Sequence, residues 1–248
     1  MTESTLHWSL DHCHDHGEGT DFRGEMIAAL RVPAQGLSFA VLPNYWRGYG
    51  RENRLRFGDL HIERSERNDG YNYTVGYRNE AAGERLDLHY STAAAAHRPL
   101  RGAWSLATVN DAGDAYRGLH SVGRLIDDDG GRRLHLTVNE RLSFAGRLLP
   151  PDCEPTMNWT LFDCLGELIA RGRTGIDLIE DGEKPRCGGR IVAMERWAFD
   201  IGVRHLPLRG LCLHGPGLAP SHWWLADDGR VLLVSTTFMT FVRIGGAC

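Results

Sequence analysis

The residues best suited to chemistry crowd into one short stretch, Leu10 to Gly19, which reads LDHCHDHGEG. On a strand, successive side chains alternate between two faces. Trp8, Leu10, His12, His14 and His16 then share one face, while His7, Ser9, Asp11, Cys13 and Asp15 share the other. The face with Trp8 and Leu10 is the inward one, so the three imidazoles project into the sheet's concavity, neighbours standing about 7 Å apart at a rise of about 3.3 Å per residue. Two of them can share one Zn or Fe ion at metal–nitrogen distances of about 2.1 Å, with Glu18 completing the sphere. Without a metal, a histidine titrating near about 6.5 suits general acid or base work, which makes His12, His14 and His16 the candidate catalytic groups. A third reading leaves the stretch as a polar leader at a sheet edge.

His12, His14 and Glu18 resemble the cupin half-motif, in which His-x-His is followed by three or four residues and a glutamate. That resemblance implies a metal-dependent enzyme with His12, His14 and Glu18 as ligands. Leu6 stands where cupins carry a glycine, and the strands that precede the cupin motif have no counterpart here. The His-x-His-x-Asp-His pattern of metallo-β-lactamase-like hydrolases also comes near, but HCHDH is one residue short of it.

A second constellation is aromatic. Tyr71, Tyr73 and Tyr77 fall on one face of a period-two run, and Trp223 and Trp224 lie in a later one. Together with His222 they are candidates to line a pocket for an aromatic or apolar ligand, and each buried tyrosine hydroxyl then needs a partner. The alternative is an aromatic core packed on a pleated surface. LPNYWRGYGREN, residues 42–53, reads as a long loop in which Arg47 and Arg51, joined by Arg54, offer paired donors to an anion. LCLHGPGLAPSH, residues 211–222, is likewise loop-like, and His214 and His222 there can face a barrel mouth. Gly-x-Ser-x-Gly, a phosphate loop and a dinucleotide glycine fingerprint are all missing, which disfavours nucleophilic hydrolases and nucleotide binding.

The elements that must position these groups are strands. FGDLHIERS alternates Leu60 and Ile62 against Asp59, His61 and Glu63, and Asn68-Asp69-Gly70 supplies the positive φ of a tight turn before YNYTVGY. ERLDLHY puts Leu86, Leu88 and Tyr90 on one face; LHSVGRLI and RRLHLTVNE make a second hairpin with Leu134, Leu136 and Val138 inward. SHWWLA, a turn at Asp227-Asp228-Gly229, RVLLVS and TFMTFVRI repeat the pattern near the C-terminus. One segment breaks it: Met157, Leu161, Phe162, Leu165, Leu168 and Ile169 recur at helical spacing, predicting a helix near 157–171 capped by Thr156 or Asn158 and closed by Gly172.

The rhythm predicts a mainly β protein, an antiparallel barrel or half-barrel with one packed helix. It resembles the curvature of calycin-like barrels and of half-barrels that carry lipids. Residues 1–248 read as a single β-rich domain, with an internal break at 148–156 where Pro150, Pro151 and Pro155 cluster.

Bulk numbers bound the function. A chain of 248 residues with 42% hydrophobic content buries a substantial core. The net charge of −4, from 32 acids against 28 bases with no basic block, predicts neither nucleic-acid nor membrane partners. Arginine supplies every base but Lys184, a bias a GC-rich bacterial genome produces. The N-terminus lacks a basic region followed by an apolar run, so a cytoplasmic protein is expected, and its six cysteines read as free thiols. Function therefore stands as binding of a small apolar or aromatic molecule in the concave face, with histidine acid/base chemistry on it left open. The alternatives are the metal-dependent enzyme above and a structural, oligomerising β protein; a homodimer is compatible with each.

Overall fold

A computed structural model of the chain describes residues 37–43, 58–79, 83–110, 118–129, 131–201, 204–237 and 239–244. The described strands form one fifteen-stranded sheet. β1 (Leu37–Pro43) pairs on one side with β2 (Gly58–Arg67) and on the other with the last described strand, β15 (Met239–Ile244). Two antiparallel meanders run outward from this junction. One passes through β3 (Gly70–Asn79), β4 (Glu84–Ala93), β5 (Leu100–Asn110), β6 (Leu119–Asp128), β7 (Gly131–Val138) and β8 (Leu142–Leu148). The other runs back through β14 (Val231–Ser235), β13 (Leu218–Leu225), β12 (Arg204–Gly215), β11 (Lys184–Ile201) and β10 (Gly175–Glu180) to β9 (Thr156–Met157). Among the described strands only β9 and β10 pair in parallel.

The two free edges, β8 and β9, are consecutive in the chain. Residues 149–155, where the sequence places its internal break, are the linker that crosses between them. The sheet stays open there, as in a half-barrel, but its ends approach. Trp104 Nε1 of β5 donates to the Gly182 carbonyl at the β10–β11 turn over 2.8 Å, and Leu100 N donates to Pro155 O over 2.9 Å.

Alternation decides which side chains turn inward. Leu60, Ile62, Tyr73, Val75, Tyr77, Leu88, Tyr90, Trp104 and Leu134 are all buried on the inner face, as period two predicts. The β2–β3 hairpin forms, but Asn68, Asp69 and Gly70 all keep negative φ. Gly70 is needed for another reason: a Cβ there would stand 1.8 Å from Thr92 O of β4. LCLHGPGLAPSH is not a loop but the β12–β13 hairpin, turned by Gly217 at φ +70°. LSFAVLP, for which the alternation gives no expectation, is the strand at the centre of the sheet.

The helix α1 (Leu161–Ala170) packs its apolar stripe of Leu161, Phe162, Leu165 and Leu168 into the sheet. It starts later than the spacing predicts, because Thr156 and Met157 pair with Leu178 and Ile179 as β9, and a 3₁₀ turn, Asn158–Thr160, follows. Neither Thr156 nor Asn158 caps it: Thr160 is the N-cap residue and makes no side-chain capping bond. Gly172, at φ +71°, ends the helix as expected, with Gly172 N bonded to Ile169 O and Arg173 N to Leu168 O. Gly166 lets α1 approach the β13–β14 turn, since a Cβ there would meet Gly229 O at 2.2 Å.

Candidate functional site

Phe162 is the hub of the interior. Its ring meets Phe39 at 4.9 Å, Trp223 at 5.0 Å and Phe241 at 5.4 Å between centroids, each edge-on. Edge-to-face packing brings the positive ring edge against a negative face and fixes the rings in place. The helix therefore fills one part of the inner face as a rigid aromatic plug.

Beside the plug a cavity of about 380 Å³ is left open. Tyr77 of β3 and Leu86 of β4 form one wall; Leu178, Leu213, Trp223 and Val234 of β10 and β12–β14 form another; Met239 and Phe241 of β15 and Phe162 of α1 close the floor. The polar groups are few: Asn158, Glu180, Asp181, Ser221, Thr236 and Thr237. A largely apolar lining with sparse polar groups is the usual make-up of a small-molecule pocket, and the volume lies within the usual range of about 300–1,000 Å³.

Those polar groups are held in place. Asn158 Nδ2 donates to Asp181 Oδ1, and Asp181 N donates to Asn158 Oδ1, each over 3.0 Å. Asp181 touches solvent yet is ringed by protein, and that partial desolvation pushes its carboxyl above the usual range, with Asn158 opposing. Trp223 Nε1 donates to Ser221 Oγ over 2.8 Å, and Arg186 pairs with Glu180 at 2.9 Å. The Tyr77 hydroxyl donates to Met239 Sδ over 3.6 Å, and burial pushes its pKa up to about 12.

The tyrosines that share a face do not share a fate. Tyr73 stacks on Tyr90 at 5.0 Å and 9°, and its hydroxyl donates to Asp163 Oδ2 over 2.7 Å. Arg64 clasps both oxygens of the same carboxylate at 3.0 and 2.9 Å, anchoring the first turn of α1 to β2 and β3. Tyr71 lies under the Arg98 guanidinium, 3.9 Å from its ring centroid, and Arg98 pairs with Glu167 further along the helix. Tyr71 and Tyr73 thus hold α1 in place, while Tyr77 and Trp223 line the cavity. His222 pairs across strands with Cys212 and Ser235 and sits beside Trp224, on the face opposite Trp223. His214, two residues on from Cys212, takes that same opposite face and is exposed. His12, His14, His16 and Glu18 lie outside the described residues, as do Arg47, Arg51 and Arg54.

Sequence reasoning did not single out Asn158, Asp181, Leu213 or Met239 as site residues. Each comes from a different element, so no local spacing joins them. Nor did it single out His97, which is buried between Glu154 and Arg173 at 2.9 and 2.7 Å. On β8, Leu142 and Phe144 pair with Val138 and Leu136 and are more than half exposed, at 59% and 53%.

A curved antiparallel sheet, an open seam and, among the described residues, a single α-helix set against its apolar interior define a β-barrel-like protein. The chain is similar to a crystal structure from Brucella abortus described as a β-barrel-like protein of the domain of unknown function DUF1849, with a TM-score of 0.52 over 84% of this chain and 95% of that chain. Identity between the two is 8%, so the likeness is one of fold. No family model and no curated protein matches the sequence. Among the described residues no helix is long and apolar enough to cross a membrane.

Proposed function

We propose that the protein binds a small apolar or aromatic molecule in the cavity beside Phe162 and Trp223. The single observation that carries this reading is an open, mainly apolar cavity of about 380 Å³ set beside the packed cluster of aromatic and aliphatic side chains around Phe162. Water held against Leu86, Leu178, Leu213 and Phe241 loses hydrogen bonds it keeps in bulk, so an apolar guest that displaces it is favoured by roughly 25 cal/mol per Å² removed from water. The Asn158–Asp181 pair and Ser221 give such a guest a polar end to face, which sets its orientation.

Binding rather than catalysis is the function this geometry supports best. Histidine is not among the described residues that line the cavity, and the Asp181 carboxyl, raised by desolvation, is tied to Asn158. Organic extraction of the untagged protein followed by mass spectrometry tests the proposal. It predicts a compound in near-equimolar amount, reduced by substitutions that fill the cavity. A protein that carries no compound and takes up none of a panel of aromatic and aliphatic molecules contradicts it.

A further inference from the structure

Apart from the cavity, reactive side chains gather at the seam. Cys153 lies in the linker between β8 and β9, almost wholly buried, and Cys187 lies near the start of β11. Their Sγ atoms are 3.1 Å apart. That is about 1 Å beyond a disulfide bond. It is also shorter than the roughly 3.7 Å that two thiolates take on a tetrahedral zinc with Zn–S bonds of about 2.3 Å. Asp177 of β10 completes the group: its ligand oxygen and both sulfurs lie within 4.8 Å of one another. Asp177 Oδ1 accepts from Gly188 N over 2.7 Å, and it is the sulfur–sulfur separation, tighter than a zinc-bound pair takes, that favours direct bonding of the two sulfurs.

We propose that Cys153 and Cys187 are a redox pair whose disulfide staples the linker to β11 and locks the seam of the half-barrel. The linker is prepared for this. Pro150, Pro151 and Pro155 stiffen it, Leu149 N bonds to Arg132 O of β7, and Arg132 Nη1 donates to the Cys153 carbonyl over 3.2 Å. Cys153 is therefore held against its partner before any bond forms.

Access runs through Cys187. It lines a surface cleft of about 570 Å³ together with Leu148, Pro150, Pro185, Arg186 and Pro216. With oxidised glutathione as the oxidant, the Cys187 thiolate attacks one glutathione sulfur and expels glutathione thiolate. The Cys153 thiolate then attacks Cys187 Sγ of the mixed disulfide and expels the second glutathione. The protein's two thiols lose two protons and two electrons, and one glutathione disulfide becomes two glutathione thiols. Reduction runs the other way, with Cys153 as leaving group. Burial, its contact with Cys187 and the nearby Asp177 carboxylate all push that thiol's pKa up, which slows its attack on the mixed disulfide as well as its departure in reduction.

Peptide mapping of the full chain after equilibration with oxidised glutathione tests the proposal. Expected are one cross-linked peptide joining residues 153 and 187, its loss on treatment with dithiothreitol, and a fall in midpoint of about 5–10 °C on reduction. The Cys153→Ser variant is expected to trap glutathione on Cys187. Full alkylation of both cysteines in the oxidised wild-type protein would overturn the proposal. So would a persistent mixed disulfide at Cys187 in wild type, or one zinc per chain retained by the purified protein and lost in Cys187→Ser. The wild-type measurements stand even if either variant fails to fold, and none of them depends on a ligand in the cavity.

Discussion

Phe162, on the first turn of α1, sets its ring edge-on to Trp223 of β13 at 5.0 Å between centroids and 66° between planes. This contact is both the wall of the cavity and the joint between helix and sheet. Phe162→Ala is expected to cost about 3–5 kcal/mol and Phe162→Leu less, because leucine keeps most of the buried volume. Chemical denaturation followed by circular dichroism checks the order. A loss under about 1 kcal/mol for Phe162→Ala would show that the helix is held elsewhere.

Gly166 and Gly229 make the closest approach of helix to turn. In an isolated helix, alanine in place of glycine stabilises by about 1 kcal/mol. Here the added Cβ would stand 2.2 Å from Gly229 O, a backbone atom that cannot step aside cheaply. Gly166→Ala is therefore expected to destabilise by about 1–3 kcal/mol, reversing the helix propensity. A raised melting midpoint for this variant contradicts the packing described.

Asp163 joins α1 to two strands through Arg64 and Tyr73. The Arg64 side chain is 38% exposed, so its ion pair is screened and contributes modestly. The buried Tyr73 hydroxyl, bonded to a carboxylate, carries more of the coupling. A double-mutant cycle with Asp163→Asn and Tyr73→Phe is expected to give a coupling of about 1–2 kcal/mol, and the Asp163–Arg64 cycle a smaller one.

His97 carries a pH prediction. Burial lowers its pKa, Arg173 adds to that, and the hydrogen bond to Glu154 opposes it. Because Nδ1 accepts from Arg173, the Nε2 proton points to Glu154 and the folded ring is neutral. The unfolded chain, with a histidine pKa near about 6.5, binds more protons between that value and the lower folded pKa. The contribution is thus fully present above about 6.5 and is lost as pH falls through the folded pKa. In His97→Gln this part of the acid sensitivity disappears. An NMR titration placing His97 above 6.5 would contradict the assignment.

Much of the sheet was legible because half of it is exposed. In β2 through β4 polar residues face water, so alternation marks Leu60, Val75 and Leu88 as inward without ambiguity. In β13 every residue from Ser221 to Leu225 is buried, and the signal that separates Trp223 from His222 vanishes. β1 was missed because its place depends on β15, some two hundred residues away in the chain. The late start of α1 has the same origin: Thr156 and Met157 are taken by a parallel pairing with β10 that no local periodicity records. Tyr73 and Tyr77 share a face, but only the tertiary position of α1 makes one an anchor and the other a cavity wall.

The central claim is that the cavity beside Phe162 and Trp223 takes an apolar guest. Ala219 stands exposed on its wall, so Ala219→Trp fills the space without entering the packed core. The direct measurement is a fluorescence titration of wild type and this variant with an uncharged naphthylamine dye whose emission rises in apolar surroundings. The account predicts saturable binding at one site in wild type and at least tenfold weaker binding in Ala219→Trp, with the thermal midpoint unchanged. Equal affinity in the two proteins, or no saturable binding in wild type, would contradict it.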